Sequence, residues 1–339
     1  MKKTTKSLFS TTLITIMFLS SSNTFSQESF TIDGDESLID FIGENSALYM
    51  TVQDFTLKNI SSEVAEAQVH MLSSCISIIK GTATWDNVGY STTENFFNTI
   101  KCEGSIIVRN CDKLANPNGF ENYTVINGDF ILENCPNMPT GYGDAFTKIT
   151  KVAGDSRLIN VGRIGDASIK ILKEVGGDFE ISKCDNMFWE FKGGLNLETI
   201  GGDFIINNNA AFENLKGLEG IKKIGGNISI VDNNGTLGAY TPDWEDGTFS
   251  NAKGFCLLAT WKQNNVFSTD AKVTLRKKGD EQYIDVNKLV PCGEEHNDDY
   301  YLGISSTTAD RALVVSTING YISISAPWES YNIEIYDMS

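Results

Sequence analysis

Four aspartates recur at nearly constant spacing, Asp129, Asp155, Asp178 and Asp203, each directly after a glycine. Carboxylates that return once per repeat can do three kinds of chemistry. They can gather roughly six to eight oxygens around Ca²⁺. They can act as acid and base across a glycosidic bond. They can also accept hydrogen bonds from main-chain N–H groups at a corner, where Asp after Gly is a turn signal. The last use is preferred here, because Ser105 and Asn227 continue the column at its ends and neither brings a charge. No resident cofactor is therefore expected, with Ca²⁺ on the aspartate column kept as the alternative. Other reactive groups are sparse. The two histidines, His70 and His296, lie in different regions, and no G-x-x-x-x-G-K phosphate loop is present.

The element that must position these aspartates is a repeated phrase. Glycines at 81, 104, 128, 154, 177, 202 and 226 open it, at intervals of 23, 24, 26, 23, 25 and 24 residues. Periods of this length mark a solenoid, in which one unit cannot bury its apolar face without its neighbours. Within the phrase, Phe179, Ile181 and Cys184 match Ile106, Val108 and Cys111, Phe130, Leu132 and Cys135, Ser156, Leu158 and Val161, Phe204, Ile206 and Asn209, and Ile228, Ile230 and Asn233. A period of two predicts a strand with its first two apolar residues inward. A further apolar residue four positions before each strand (Ile126, Val152, Val175, Ile200, Ile224) predicts a second wall. The glycine pairs are expected to supply positive φ at the corner between the walls. The Cys/Asn column is expected inside, where asparagine bonds to main chain and cysteine fills the same space as a weak donor.

The stretch LNLETIGGDFIINNNAAFENLKGLEGIKKIGGNISIVDN, from Leu195 to Asn233, resembles the receptor L domains, relatives of leucine-rich repeats. That resemblance covers about residues 81 to 237 and implies a mainly β, right-handed parallel β-helix of about seven to eight turns. It also implies recognition or surface structure as the role, without catalysis. Parallel β-helices include polysaccharide lyases and glycosidases, so a carbohydrate-active enzyme is the rival reading. A structural surface-layer component is the third.

Function on this scaffold is expected in outward residues and in loops that break the period. Arg109 and Arg157 are expected in one outward column separated by Glu133, beside isoleucines such as Ile131 and Ile159. In the loop NMFWEFKGG, Phe188 and Trp189, with Tyr142 of the preceding loop, are candidates for an aromatic platform that holds a sugar or peptide. The partner is then a host or bacterial surface protein or a glycan.

The remainder frames the solenoid. Lys2, Lys3 and Lys6 before the apolar run Leu13 to Leu19, followed by small residues to Ser26, read as a secretory leader over 1–26. Its removal takes the formal charge from −17 to −20, which disfavours nucleic acid as a partner. No later apolar run approaches the roughly 18 residues of a membrane span. Residues 27–80 are expected to form an N-terminal cap with a degenerate first turn, 238–300 the opposite cap, and 301–339 a β tail. In that tail, NGYISISAPWESYNIEIYDMS resembles the start of the sorting domain of the Bacteroidetes type IX secretion pathway, which implies an outer-membrane surface or extracellular destination. Of seven cysteines, Cys256 and Cys292 are the candidates for a disulfide. Cys111, Cys135 and Cys184 are expected to stay free in the core, since stacked parallel Cβ vectors on rungs about 4.8 Å apart suit a bridge poorly.

Overall fold

The structure, a computed structural model, describes residues 28–116, 118–138, 146–162, 170–184, 195–212, 215, 217–234, 255–281 and 283–289, with the strands Val314–Ile318 and Tyr321–Ser325. It is mainly β and built from long parallel sheets, as in a solenoid. Ten strands pair in the order Phe30–Asp33, Phe55–Ile60, Ala83–Val88, Ile106–Arg109, Phe130–Cys135, Ser156–Val161, Phe179–Ser182, Phe204–Asn207, Ile228–Val231 and Val273–Arg276. Neighbours are parallel and in the register that the columns predict, with Ser156 between Phe130 and Phe179. Alternation sets the two faces. Phe204 and Ile206 are fully buried, and Ile205 and Asn207 between them are half-buried on the outside.

The second wall is also present. Val125–Ile126, Lys151–Val152, Glu174–Val175, Thr199–Ile200 and Lys223–Ile224 form a five-stranded parallel sheet. Each turns one apolar residue inward, at the position expected from the sequence. Aromatic rings bridge successive turns in the core. Phe179 and Phe204 stack with centroids 6.0 Å apart and planes 6° from parallel. Phe55, Phe96, Phe97, Phe120 and Phe146 form a continuous run of ring contacts. Each such buried ring contributes about 1.5–3 kcal/mol.

The ten-stranded sheet passes the limits of 81 and 237 at both ends. Phe30–Asp33 and Phe55–Ile60 are regular strands in register with the rest. Their phrase is disguised, since Gln53 stands where later turns have glycine, yet Asp54 Oδ1 accepts the Thr82 N–H at 2.7 Å as later aspartates do. A three-stranded sheet, Met50–Val52, Ile76–Ile79 and Lys101–Cys102, forms the corresponding second wall. Helix Asp35–Asn45 turns Leu38 and Ile42 into the core, and Ser61 caps helix Ser62–Gln68 by accepting the Val64 N–H at 3.4 Å.

At the other end, helix Cys256–Gln263 packs Trp261 edge-on against Phe204 at 5.7 Å. Ile284 N–H donates to Leu275 O at 2.8 Å and covers the edge of the last strand of the ten. Cys256 is disulfide-bonded; Cys292, its expected partner, lies outside the described residues, as does the leader. The tail strands Val314–Ile318 and Tyr321–Ser325 pair antiparallel, as the hairpin signal implied. Among the described residues no helix is long and apolar enough to cross a membrane.

The corners correct one expectation. The repeat glycines do not have positive φ; they are there because another turn occupies the space of a side chain. A Cβ on Gly202 would stand 2.3 Å from Asp178 Oδ1 and 2.9 Å from main-chain atoms, and one on Gly201 only 1.9 Å from Gly176 O. Left-handed φ belongs to a column at the far end of the strands. Asn59, Asn87, Asn110, Asn134, Asn160, Lys183, Asn208 and Asp232 have φ between 50° and 58°, a conformation that asparagine tolerates best after glycine.

One residue further lies the buried Cys/Asn column. Cys135 Sγ donates to Val108 O at 3.9 Å, Cys184 Sγ to Leu158 O at 3.5 Å, Asn209 Nδ2 to Ile181 O at 2.9 Å and Asn233 Nδ2 to Ile206 O at 2.7 Å. Thiol and amide thus do the same job, reaching the preceding turn three residues short of their own register. Cys75, Cys102, Cys111, Cys135 and Cys184 are buried thiols in no disulfide. A hydrogen bond donated to the Cys111 sulfur, together with burial, pushes the Cys135 thiol far above the usual thiol range.

Candidate functional site

The aspartate column is built as a ladder along the main chain. Asp129 Oδ1 accepts the Asp155 N–H at 2.9 Å, Asp155 Oδ1 the Asp178 N–H at 2.8 Å, Asp178 Oδ1 the Asp203 N–H at 2.8 Å and Asp203 Oδ1 the Asn227 N–H at 2.6 Å. Ser105 Oγ begins this run by accepting the Asp129 N–H at 2.9 Å. Each carboxylate therefore satisfies the N–H of the residue just before the next turn's strand with a charge-assisted bond. Arg157 Nη2 adds a clamp, reaching Asp155 Oδ2 at 2.7 Å and Asp178 Oδ2 at 2.8 Å. The carboxylates lie in a line, one per rung, each turned onto the main chain. They do not converge into the many-oxygen cage that Ca²⁺ needs, and among the described residues no group of three or more acidic, histidine or cysteine side chains could hold a metal.

The outward face of the ten-stranded sheet brings Arg109, Ile131, Arg157 and Ile159 together on three neighbouring strands. Their arrangement corrects the sequence reading. Arg157 pairs with Ile131, whereas Arg109 pairs with Glu133 and Glu133 with Ile159. The two arginines are therefore in adjacent columns. One column runs Thr84, Ile107, Ile131, Arg157, Glu180, Ile205, and the other Asp86, Arg109, Glu133, Ile159, Ser182, Asn207. Instead of a charge stripe beside an isoleucine stripe, each column mixes apolar and charged groups.

Several of these charges already have partners within the sheet. Arg109 Nε donates to Asp86 Oδ2 at 2.9 Å, Asn110 Nδ2 takes Asp86 Oδ1 at 2.7 Å, and Glu180 Oε1 accepts from Ser182 Oγ at 2.8 Å. The half-buried isoleucines Ile107, Ile131 and Ile159 stand among these ion pairs on the outward face.

Tyr142, Phe188 and Trp189 lie outside the described residues, and so does His296. His70 is exposed on the turn Val69–Met71. Sequence reasoning missed a cleft of about 350 Å³ whose lining includes Asp35, Asn59, Ser62, Asn87, Asp112 and Lys113. Its contributors come from successive turns and share no local motif, so only the left-handed asparagine column, read across turns, could have announced it. The chain matches no protein-family model, no characterised protein and no solved structure.

Proposed function

We propose that this chain is an exported, non-enzymatic recognition protein, a right-handed β-helix of the receptor L domain type, which meets a protein or glycan partner at a bacterial surface or in the medium. The observation that carries this reading is the outward face at Ile107, Ile131, Arg157 and Ile159. There, apolar side chains sit half-exposed in register, flanked by arginines whose positions are held by Asp86, Asp155 and Asp178. A mixed apolar and charged surface of this kind, carried on paired strands, suits contact with a partner. Of the carboxylates nearest to it, Asp86, Asp155, Asp178 and Glu180 are engaged by arginine, an amide, main-chain N–H groups or a hydroxyl, which leaves Glu133 without a second open carboxylate beside it and favours contact over paired acid/base chemistry. Export is supported by the leader-like first 26 residues and by the disulfide at Cys256.

The test is a screen of the purified chain against a glycan array and a set of extracellular-matrix proteins. The best ligand is then measured on the Ile131→Asp/Ile159→Asp double variant. Both positions face outward, so the unfolding midpoint should hold while affinity falls tenfold or more. Unchanged affinity in a folded double variant would overturn the assignment of this face.

A further inference from the structure

Amide hydrogen bonds link neighbouring turns along part of the left-handed column, and the cleft opens beside one gap in those links. At three positions the amide donates to the side-chain carbonyl one turn earlier: Asn87 to Asn59 at 3.0 Å, Asn134 to Asn110 at 3.1 Å and Asn160 to Asn134 at 3.0 Å. Asn110 departs from this rule. Its Nδ2 goes to Asp86 Oδ1 at 2.7 Å, because an ionised carboxylate is a stronger acceptor than a neutral amide. The Asn87 carbonyl is left without the donor that those of Asn59, Asn110 and Asn134 receive.

The groups that share the cleft with Asn87 are also uncommitted. Asp35 uses one oxygen to accept the Ser61 N–H at 2.8 Å, and its other oxygen has no partner among the described residues. Neither the Asp112 carboxylate nor the Lys113 ammonium has a side-chain partner among the described residues. The Ser62 hydroxyl borders the same space. Residues with acceptors, Asn87, Asp35 and Asp112, and residues with donors, Lys113 and Ser62, thus line one open concavity, all but Asp35 exposed to solvent. They are carried by solenoid corners and by the starts of helices Asp35–Asn45 and Ser62–Gln68.

The chemistry of the lining selects a class of ligand. Ile60 is its one apolar member and is itself only 3% exposed, so an apolar ligand would gain little from leaving water. A small anion meets two carboxylates, and a metal ion meets the Lys113 ammonium. A neutral polyhydroxylated molecule suits the set, because its hydroxyls donate to carboxylate and amide oxygens and accept from ammonium and hydroxyl. The volume lies at the lower end of the range for small-ligand sites, roughly 300–1,000 Å³, which limits the occupant to a short unit.

We propose that this cleft is a saccharide-binding subsite that takes one or two sugar residues of a neutral glycan. The proposal rests on the recognition reading above and names a second place on the molecule where recognition occurs.

Saturation-transfer NMR and titration calorimetry on the full chain test it, with glucose, galactose, mannose, N-acetylglucosamine and their β-1,4-linked disaccharides as probes. At least one probe should bind. Its affinity should fall tenfold or more in both Asn87→Gly, which keeps left-handed φ accessible, and Lys113→Ala, which changes an exposed side chain outside any strand. Lys222→Ala, paired with Glu198 elsewhere on the surface, should leave it unchanged. The cleft is overturned if no probe binds, or if affinity stays within threefold of the parent in both cleft variants. Retention in both together with loss in Ile131→Asp/Ile159→Asp overturns the cleft and leaves the sheet-face reading standing. Absence of any glycan or protein ligand in the wider screen overturns both.

Discussion

Replacing Gly202 by alanine isolates the contact on which every corner depends. The new Cβ would lie 2.3 Å from Asp178 Oδ1, with Asp178 N and Gly177 C both at 2.9 Å. Main chain cannot withdraw from a stacked sheet, so the carboxylate must move and release the Asp203 N–H that it holds at 2.8 Å. Loss of a charge-assisted bond costs about 1.5–3 kcal/mol, and overpacking adds about 1–3 kcal/mol. The sum, on the order of 3–5 kcal/mol, should appear as a lower urea midpoint. Two other glycines serve as references. Gly43, in helix Asp35–Asn45 with open space around it, should gain about 0.5–1 kcal/mol on replacement by alanine. Gly279, at φ +87° with open space, should lose about 1 kcal/mol through backbone strain alone. Asp178→Ala combined with Gly202→Ala should be less harmful than the two single effects added together, by about 1–3 kcal/mol, because the clashing oxygen is gone. Strict additivity, or a Gly202→Ala cost no larger than that of Gly279→Ala, would refute the close-approach argument.

Three further outcomes can be measured on the same preparation. Asn209→Ala removes the amide that serves Cys184 N–H, Ile181 O and Asn233 Oδ1 and should cost about 3–5 kcal/mol; Asn209→Cys should cost clearly less in thermal unfolding, since Cys135 and Cys184 already make the equivalent donation. Arg157→Ala opens two ion pairs on a one-third-exposed side chain, so after screening its cost should be about 1 kcal/mol and should shrink as salt is raised. Hydrogen bonds from Lys101 and Lys80 hold Glu103 down at about 2. Its contribution is therefore complete above the ordinary carboxylate value of 4.5 and is lost as pH falls from there toward 2. Glu103→Gln should flatten that part of an acid-unfolding curve, and an unchanged slope would contradict the assignment.

Much of this architecture was legible because the period survives substitution. Phe179, Ile181 and Cys184 predict the inner wall, and Ile126 through Ile224 the outer one, since a residue of the wrong polarity at either place would disrupt the core. The glycines were harder. A missing side chain has two explanations, left-handed φ or a neighbour in the way, and a sequence records the absence without the reason. The turn at Phe55 was legible only as a degenerate copy, because Gln53 and Asp54 keep the corner bond while losing the glycine that advertises it. The asparagine column escaped notice because Lys183 and Asp232 interrupt it, and left-handed φ constrains conformation more than identity. Arg109 and Arg157 were misplaced for a different reason. The strand at Ser156 carries its charge first and its isoleucine second, the reverse of the strand at Ile106 two rungs earlier, a reversal already implicit in the matched columns and explicit in the register. The cleft had no local signature, since its groups come from Asp35, Asn87 and Asp112 on separate turns.

The aspartate ladder has a direction. Every acceptor belongs to the earlier turn and every donor to the later one, from Ser105 through Asp203 to Asn227. A chain that emerges amino-terminus first, from a ribosome or through a secretion channel, thus presents each landing place before the segment that occupies it. Growth at the carboxyl end needs no rearrangement of what is already laid down. The same asymmetry means that a polypeptide emerging in the opposite sense would expose donors with nothing to receive them, so the ladder suits vectorial synthesis.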